Sequence, residues 1–93
     1  MPFDSRAPRV IKRQLGEADP IGSVYVGRGS KWGNMFHIGR DGTRSEVIAK
    51  YEQVLLGNPK MMADLCELRG RVLVCYCKPR ACHGDVLLRL ANR

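Results

Sequence analysis

The stretch RVLVCYCKPRACHGDVLLRLA, residues 71–91, joins an apolar run to a second apolar segment through a short basic turn. Its first part, RVLVCYC (71–77), is a short apolar run with β-branched residues, the pattern of a strand buried on both faces. KPRA turns the chain. The segment from Cys82 onward, CHGDVLLRLANR, switches to a helical period that puts Val86, Leu87 and Leu90 on one inner face. A strand that runs through a turn into a helix is half of an α/β unit, so a partner strand is expected elsewhere in the chain.

That partner is SVYVGR (23–28), where Val24, Tyr25 and Val26 are β-formers and Gly27 stops them. Between the two strands lie two helices. TRSE (43–46) is a capping box, Thr43 answering Glu46, and Val47, Ile48, Tyr51, Val54 and Leu55 follow as one apolar stripe. Asn58 and Pro59 open the second helix, which carries Met62, Leu65, Cys66 and Leu68 and ends near Gly70. Upstream, RVIKRQ (9–14) reads as a short strand and LGEADPIG (15–22) as turn chemistry. Residues 1–8 read as a flexible N-terminus, and 9–93 as one domain. The expected fold is a small α/β sandwich of two or three layers in the order β-β-loop-α-α-β-α. Its sheet is partly parallel, with Val24–Val26 beside Val72–Val74. In such sheets ligands collect at the carboxyl ends of the strands, where residues 27–37 and 75–85 both begin.

Composition narrows the function. The 93 residues hold 16 Lys+Arg against 9 Asp+Glu, a net charge of +7. A core can form at this length, and a metal would help to staple it. The positive balance favours an anionic partner, either a nucleotide-like small molecule or nucleic acid. There is no signal-type apolar region, and no run approaches the roughly 20 apolar residues a membrane helix needs. A cytoplasmic protein with no membrane partner is expected. Its cysteines should then be reduced thiols or metal ligands.

Three of the four cysteines and one of the two histidines fall between residues 75 and 83. Cys77, Cys82 and His83, with Cys75 as a possible fourth, form a set of donors that zinc accepts. The metal-free alternative is a thiolate at Cys82, favoured by the start of a helix and by the charges of Lys78 and Arg80. His83 then acts as base, with Asp85 orienting it or capping the helix. The structural alternative makes Cys75 and Cys66 core filler. The second segment, GRGSKWGNMFHIGRDG (27–42), is too glycine-rich for a regular element. Gly27, Gly29 and Gly33 let backbone N–H groups approach a ligand, Arg28 and Lys31 can meet phosphate, and Ser30 and Asn34 can hydrogen-bond. Trp32 either stacks on a ring or plugs the core. His37 reads as a loop residue. The pattern is neither a Walker loop nor a dinucleotide fingerprint.

Two motifs, YVGRGSKWGNMFHIG and CYCKPRACHGDVLLRLA, resemble those of the DUF4326 family of bacterial and bacteriophage proteins. Its members look like G-R-x-S-x-W-G-N-P-F followed by C-x-C-K-P-x-x-C-H-G-D. Met35 stands where that pattern has proline. The ending is also similar to that of DUF488, a likeness that implies a ligand site after a strand rather than a reaction. The combined expectation is a small α/β enzyme or ligand-binding domain acting on a nucleotide, nucleobase or nucleic-acid-linked base. As an enzyme it would modify or hydrolyse that ligand through the Cys/Cys/His cluster. The alternative is a non-catalytic, zinc-stabilised nucleic-acid-binding module whose basic surface is Arg6, Arg9, Lys12, Arg13, Lys31, Arg40 and Arg44.

Overall fold

The computed structural model describes residues 8–14, 16, 18–78 and 80–93. The flexible N-terminus expected for residues 1–8 lies, apart from Pro8, outside the described residues. Three strands, β1 (Arg9–Lys12), β2 (Val24–Tyr25) and β3 (Val72–Cys75), form one sheet in the order β1-β3-β2. Both pairings are parallel, with Val10 and Val24 each opposite Leu73. The last strand in sequence is therefore central. This explains why it is apolar throughout and why all four of its residues are buried. The fold is the mixed α/β arrangement with the expected strand pair.

Three helices complete it: α1 (Arg44–Leu56), α2 (Pro59–Asp64) and α3 (His83–Ala91). Helix α3 packs on β1 and β3, and α1 packs on α3 and α2. Leu73, Cys75 and Val26 meet Val86, Leu87, Leu90, Tyr51 and Leu55 in one core. A fully enclosed leucine such as Leu87 contributes roughly 1.5–3 kcal/mol. Gly84 makes the close approach of α3 possible, because a Cβ there would lie 3.2 Å from Val10 and 3.3 Å from the Cys82 sulfur.

Local chemistry sets the helix starts. The Thr43 hydroxyl accepts from Glu46 N, and the Glu46 carboxylate accepts from Thr43 N at 2.9 Å. Thr43→Ala should cost about 1 kcal/mol, read as a lower urea midpoint at unchanged slope. Asn58 caps α2 by accepting from Met61 N at 3.1 Å. Two details depart from the periodic reading. Val47, Tyr51 and Leu55 form the buried ridge of α1, whereas Val54 is exposed, because α1 packs along a single i+4 row. The chain after α2 tightens into a 3-10 turn at Leu65–Glu67, which buries Leu65 and turns Cys66 outward. Cys66 is therefore not core filler.

Candidate functional site

A cavity of about 280 Å³ opens at the carboxyl ends of β2 and β3. Residues 25–28 and 75–77, which follow those strands, supply two of its sides. The first turns of α1 and α3 supply the others, through Arg44, Val47 and Ile48 and through Cys82 and His83. Both sequence motifs thus face one space, where the strand order changes direction.

The tie between them is His83. Its ring is buried, and Nε2 lies 2.6 Å from the Val26 carbonyl oxygen, so it donates there. The Tyr51 ring meets it edge to face at 5.0 Å, and the Tyr51 hydroxyl donates to the Trp32 carbonyl at 2.7 Å. Burial lowers the His83 pKa against the pull of the Val26 carbonyl, so the imidazole is neutral. The fold then opposes protonation. Any contribution of this group to stability is present above the ordinary histidine value of about 6.5 and is lost as pH falls below it. A nitrogen-15 NMR titration of the ring should find the neutral Nε2–H tautomer at pH 7 and a midpoint below the ordinary range.

The sulfur atoms form a tight group. Cys75 and Cys82 lie with their sulfurs 3.4 Å apart, and the three donor atoms of Cys75, Cys77 and Cys82 are all within 4.8 Å of one another. Cys75 and Cys82 are buried, Cys77 is half-buried, and all four cysteines of the chain are free thiols. The Cys82 thiol donates toward Cys75, and the backbone N–H groups of Cys77 and Lys78 point at the same sulfur. Together these contacts pull the Cys75 pKa down against the cost of burial. The Cys82 thiol is pushed up by its hydrogen bond to Cys75 and by burial. Burial works against the charge on Lys78, but the Asp85 carboxylate and the two sulfurs outweigh it and raise its pKa. Three thiols at this spacing could hold a metal ion.

This geometry revises the expected donor set. His83 is turned to the Val26 carbonyl and stands outside the cysteine group, while Cys75 belongs to it. Asp85 does not orient His83. Its carboxylate accepts from Cys82 N at 3.1 Å and from Lys78 Nζ at 2.5 Å, so it caps α3 and balances Lys78.

The glycine loop divides into residues that face the cavity and residues that hold the loop together. Gly27, Arg28 and Asn34 line the cavity. Gly27 must be small there, because a Cβ would fall 2.5 Å from the Tyr25 hydroxyl oxygen. Ser30 donates to the Gly27 carbonyl at 2.7 Å, and Gly33 N donates to the Ser30 carbonyl at 3.1 Å. Asn34 accepts from Phe36 N at 2.9 Å and donates to the Val47 carbonyl at 3.2 Å, which pins the loop to α1. Trp32 is buried in the core and is not positioned to stack on a ligand. Lys31 is taken by Asp64 and Glu67, and Arg80 and Gly29 are exposed outside the cavity. Lys78 also lies off the lining.

Several lining residues were not among the expected ligand-binding residues. Phe36 and Ile38 come from the same loop. Arg44 opens α1, where its guanidinium donates to the Ala81 carbonyl at 3.1 Å. Tyr76 packs edge to face on Tyr25 at 6.0 Å, and Arg13, paired with Asp19, lies 4.1 Å over the Tyr25 ring. Arg44 had one usable signal, a cation in the first turn of a helix that follows the glycine loop. Tyr76 had none, because strand alternation would have turned it away from Cys75 and Cys77, and β3 ends before it.

No helix among the described residues is long and apolar enough to cross a membrane. No solved structure matches the chain. An uncharacterized 12.4 kDa protein in the nrdA-td intergenic region of Enterobacteria phage T4 is 34% identical over 93 residues, 95% of this chain and 81% of the phage protein. The model of the domain of unknown function DUF4326 matches residues 10–93, which take in both loops and every strand and helix but the start of β1, and on that match the chain belongs to the DUF4326 family.

Proposed function

We propose that this chain is a small α/β enzyme, or a ligand-binding domain, for one anionic nucleotide or nucleobase, with its cysteine cluster at the reacting end. The observation that carries this reading is the cavity itself. Arg28 and Arg44 stand on its lining, and the positive ends of α1 and α3 converge on it. Its other walls are aromatic and aliphatic, from Tyr25, Phe36, Ile38 and Tyr76, and suit a flat ring. Its 280 Å³ falls near the lower end of small-molecule sites, roughly 300–1,000 Å³, which suits one nucleotide rather than a dinucleotide cofactor. Zinc is the cofactor that three thiols fit best, and free thiols suit a reducing, cytoplasmic setting.

The rival, a basic nucleic-acid-binding surface, draws less support. Arg13 is paired with Asp19, Lys31 with Asp64 and Glu67, and Arg40 with Asp41. Each of these cations has an acidic partner within the chain. The test is a thermal-shift and calorimetric panel of nucleoside mono- and diphosphates, free nucleobases and inorganic phosphate. A mononucleotide should raise the melting temperature. Arg28→Ala and Arg44→Ala should each weaken it about tenfold or more, the loss of one charge-assisted contact. Arg80→Ala, outside the cavity, should change affinity by less than about threefold. Binding that ignores Arg28 and Arg44 and falls steeply with salt would move the assignment to the nucleic-acid module.

A further inference from the structure

We infer that Cys75, Cys77 and Cys82 bind one zinc ion as three thiolates and leave its fourth position open to the cavity, for a neutral ring nitrogen of the ligand. The inference concerns the same cavity as the proposed function. It rests on the cysteine group, not on the ligand being a nucleotide.

The geometry of the sulfurs comes first. A tetrahedral zinc with Zn–S bonds of about 2.3 Å sets its sulfurs about 3.8 Å apart. Here the Cys75 and Cys82 sulfurs are 3.4 Å apart, and the whole set spans no more than 4.8 Å. Movements of up to about half an ångström per sulfur bring all three into the ion's coordination sphere. The elements that carry them are already fixed: Cys75 ends the central strand and Cys82 caps α3. Little folding entropy remains to be spent at the site.

Backbone donors already face two of the three sulfurs. Backbone N–H groups of Cys77 and Lys78 point at the Cys75 sulfur, and that of Gly84 points at Cys82. Such N–H···S contacts steady ligating sulfurs and spread their charge. Three thiolates and Zn²⁺ leave a net charge of −1, and Lys78 supplies the adjacent cation.

The open position follows from the donor count. Among the described residues, no imidazole or carboxylate joins the three sulfurs. Nε2 of His83 is committed to the Val26 carbonyl, and the Asp85 carboxylate to Lys78 and Cys82 N. All three cysteines line the cavity, so the missing donor must come from there. A site with three protein ligands and one vacancy is of the catalytic type. Because the centre is already anionic, a neutral nitrogen is a better fourth donor than another anion. A purine presents such a nitrogen at N7.

The experiment uses the full chain. Elemental analysis should find one zinc per chain, and X-ray absorption should count three sulfurs and one light donor. In cobalt-substituted protein, imidazole is the probe, and it should shift the visible bands saturably. Cys77→Ser, at the least buried of the three, should weaken zinc about a hundredfold or more. Cys66→Ser should retain full metal. His83→Gln, which can still donate to the Val26 carbonyl, should keep the three-sulfur spectrum. Three results would each overturn the inference: no metal on a folded chain, loss of a nitrogen ligand in His83→Gln, or a four-sulfur spectrum that imidazole cannot change. Failure of every nucleotide to bind, with the three-sulfur centre intact, would instead count against the proposed function alone.

Discussion

Replacing His83 with alanine should cost about 2–4 kcal/mol of stability and remove ligand binding altogether. The stability loss has two sources. The Val26 carbonyl is buried behind His83 and has Nε2–H as its partner at 2.6 Å, and an orphaned buried acceptor costs about 1–3 kcal/mol. The missing ring also leaves space beside Tyr51, which packs on it edge to face. Against a total of roughly 5–15 kcal/mol for a domain, this is a large fraction. The binding loss follows because His83 holds the end of β2 against the start of α3, and both of these segments wall the cavity. His83→Gln should recover much of the stability, since its amide can donate to the same carbonyl. Urea unfolding of wild type and both variants measures this. A His83→Ala midpoint indistinguishable from wild type would mean that the two motifs are held together by something else.

Removing zinc should lower the melting temperature by more than about 10 °C without unfolding the chain at room temperature. At free zinc a thousandfold above its dissociation constant, binding adds about 4 kcal/mol, and each kcal/mol moves the midpoint of a domain this size by roughly 4–8 °C. The chain should stay folded because most of the side chains that make up its core are aliphatic or aromatic rather than metal-binding. Leu55, Leu68 and Leu73 are fully enclosed, and Leu65, Leu87 and Leu90 pack with them. A chelator added to loaded protein, followed by circular dichroism and a thermal scan, separates this account from that of a zinc-stapled module, which unfolds when its metal is withdrawn. Complete loss of helical signal at 25 °C would favour the module.

The regular elements were readable because their signals are local. Val72–Cys75 is apolar at every position, as a central parallel strand must be, and Thr43 with Glu46 and Asn58 with Pro59 mark helix starts by side chains that bond their own backbone. The meeting of loops 27–38 and 75–83 was readable too, because parallel strands deliver their carboxyl ends to the same edge. What the sequence hid was the direction of side chains in irregular backbone. Trp32 turns into the core while Phe36, four residues on, faces the cavity, and no period distinguishes them. The replacement of His83 by Cys75 in the sulfur group has a similar cause. Position 83 begins α3 and looks across at β2, a contact set by how helix and sheet pack rather than by spacing within C-x4-C-H. Cys66 turns outward because the helix tightens by a fraction of a turn, which periodicity of 3.6 does not foresee.

The central claim is that two segments fifty residues apart wall one ligand cavity, and an amide NMR titration with a purine mononucleotide tests it most directly. The account predicts that signals from Gly27, Arg28 and Phe36 move together with those of Tyr76, Cys77 and His83, with one affinity and one stoichiometry. Shifts confined to one of these segments, or scattered over the basic surface away from both, would contradict it.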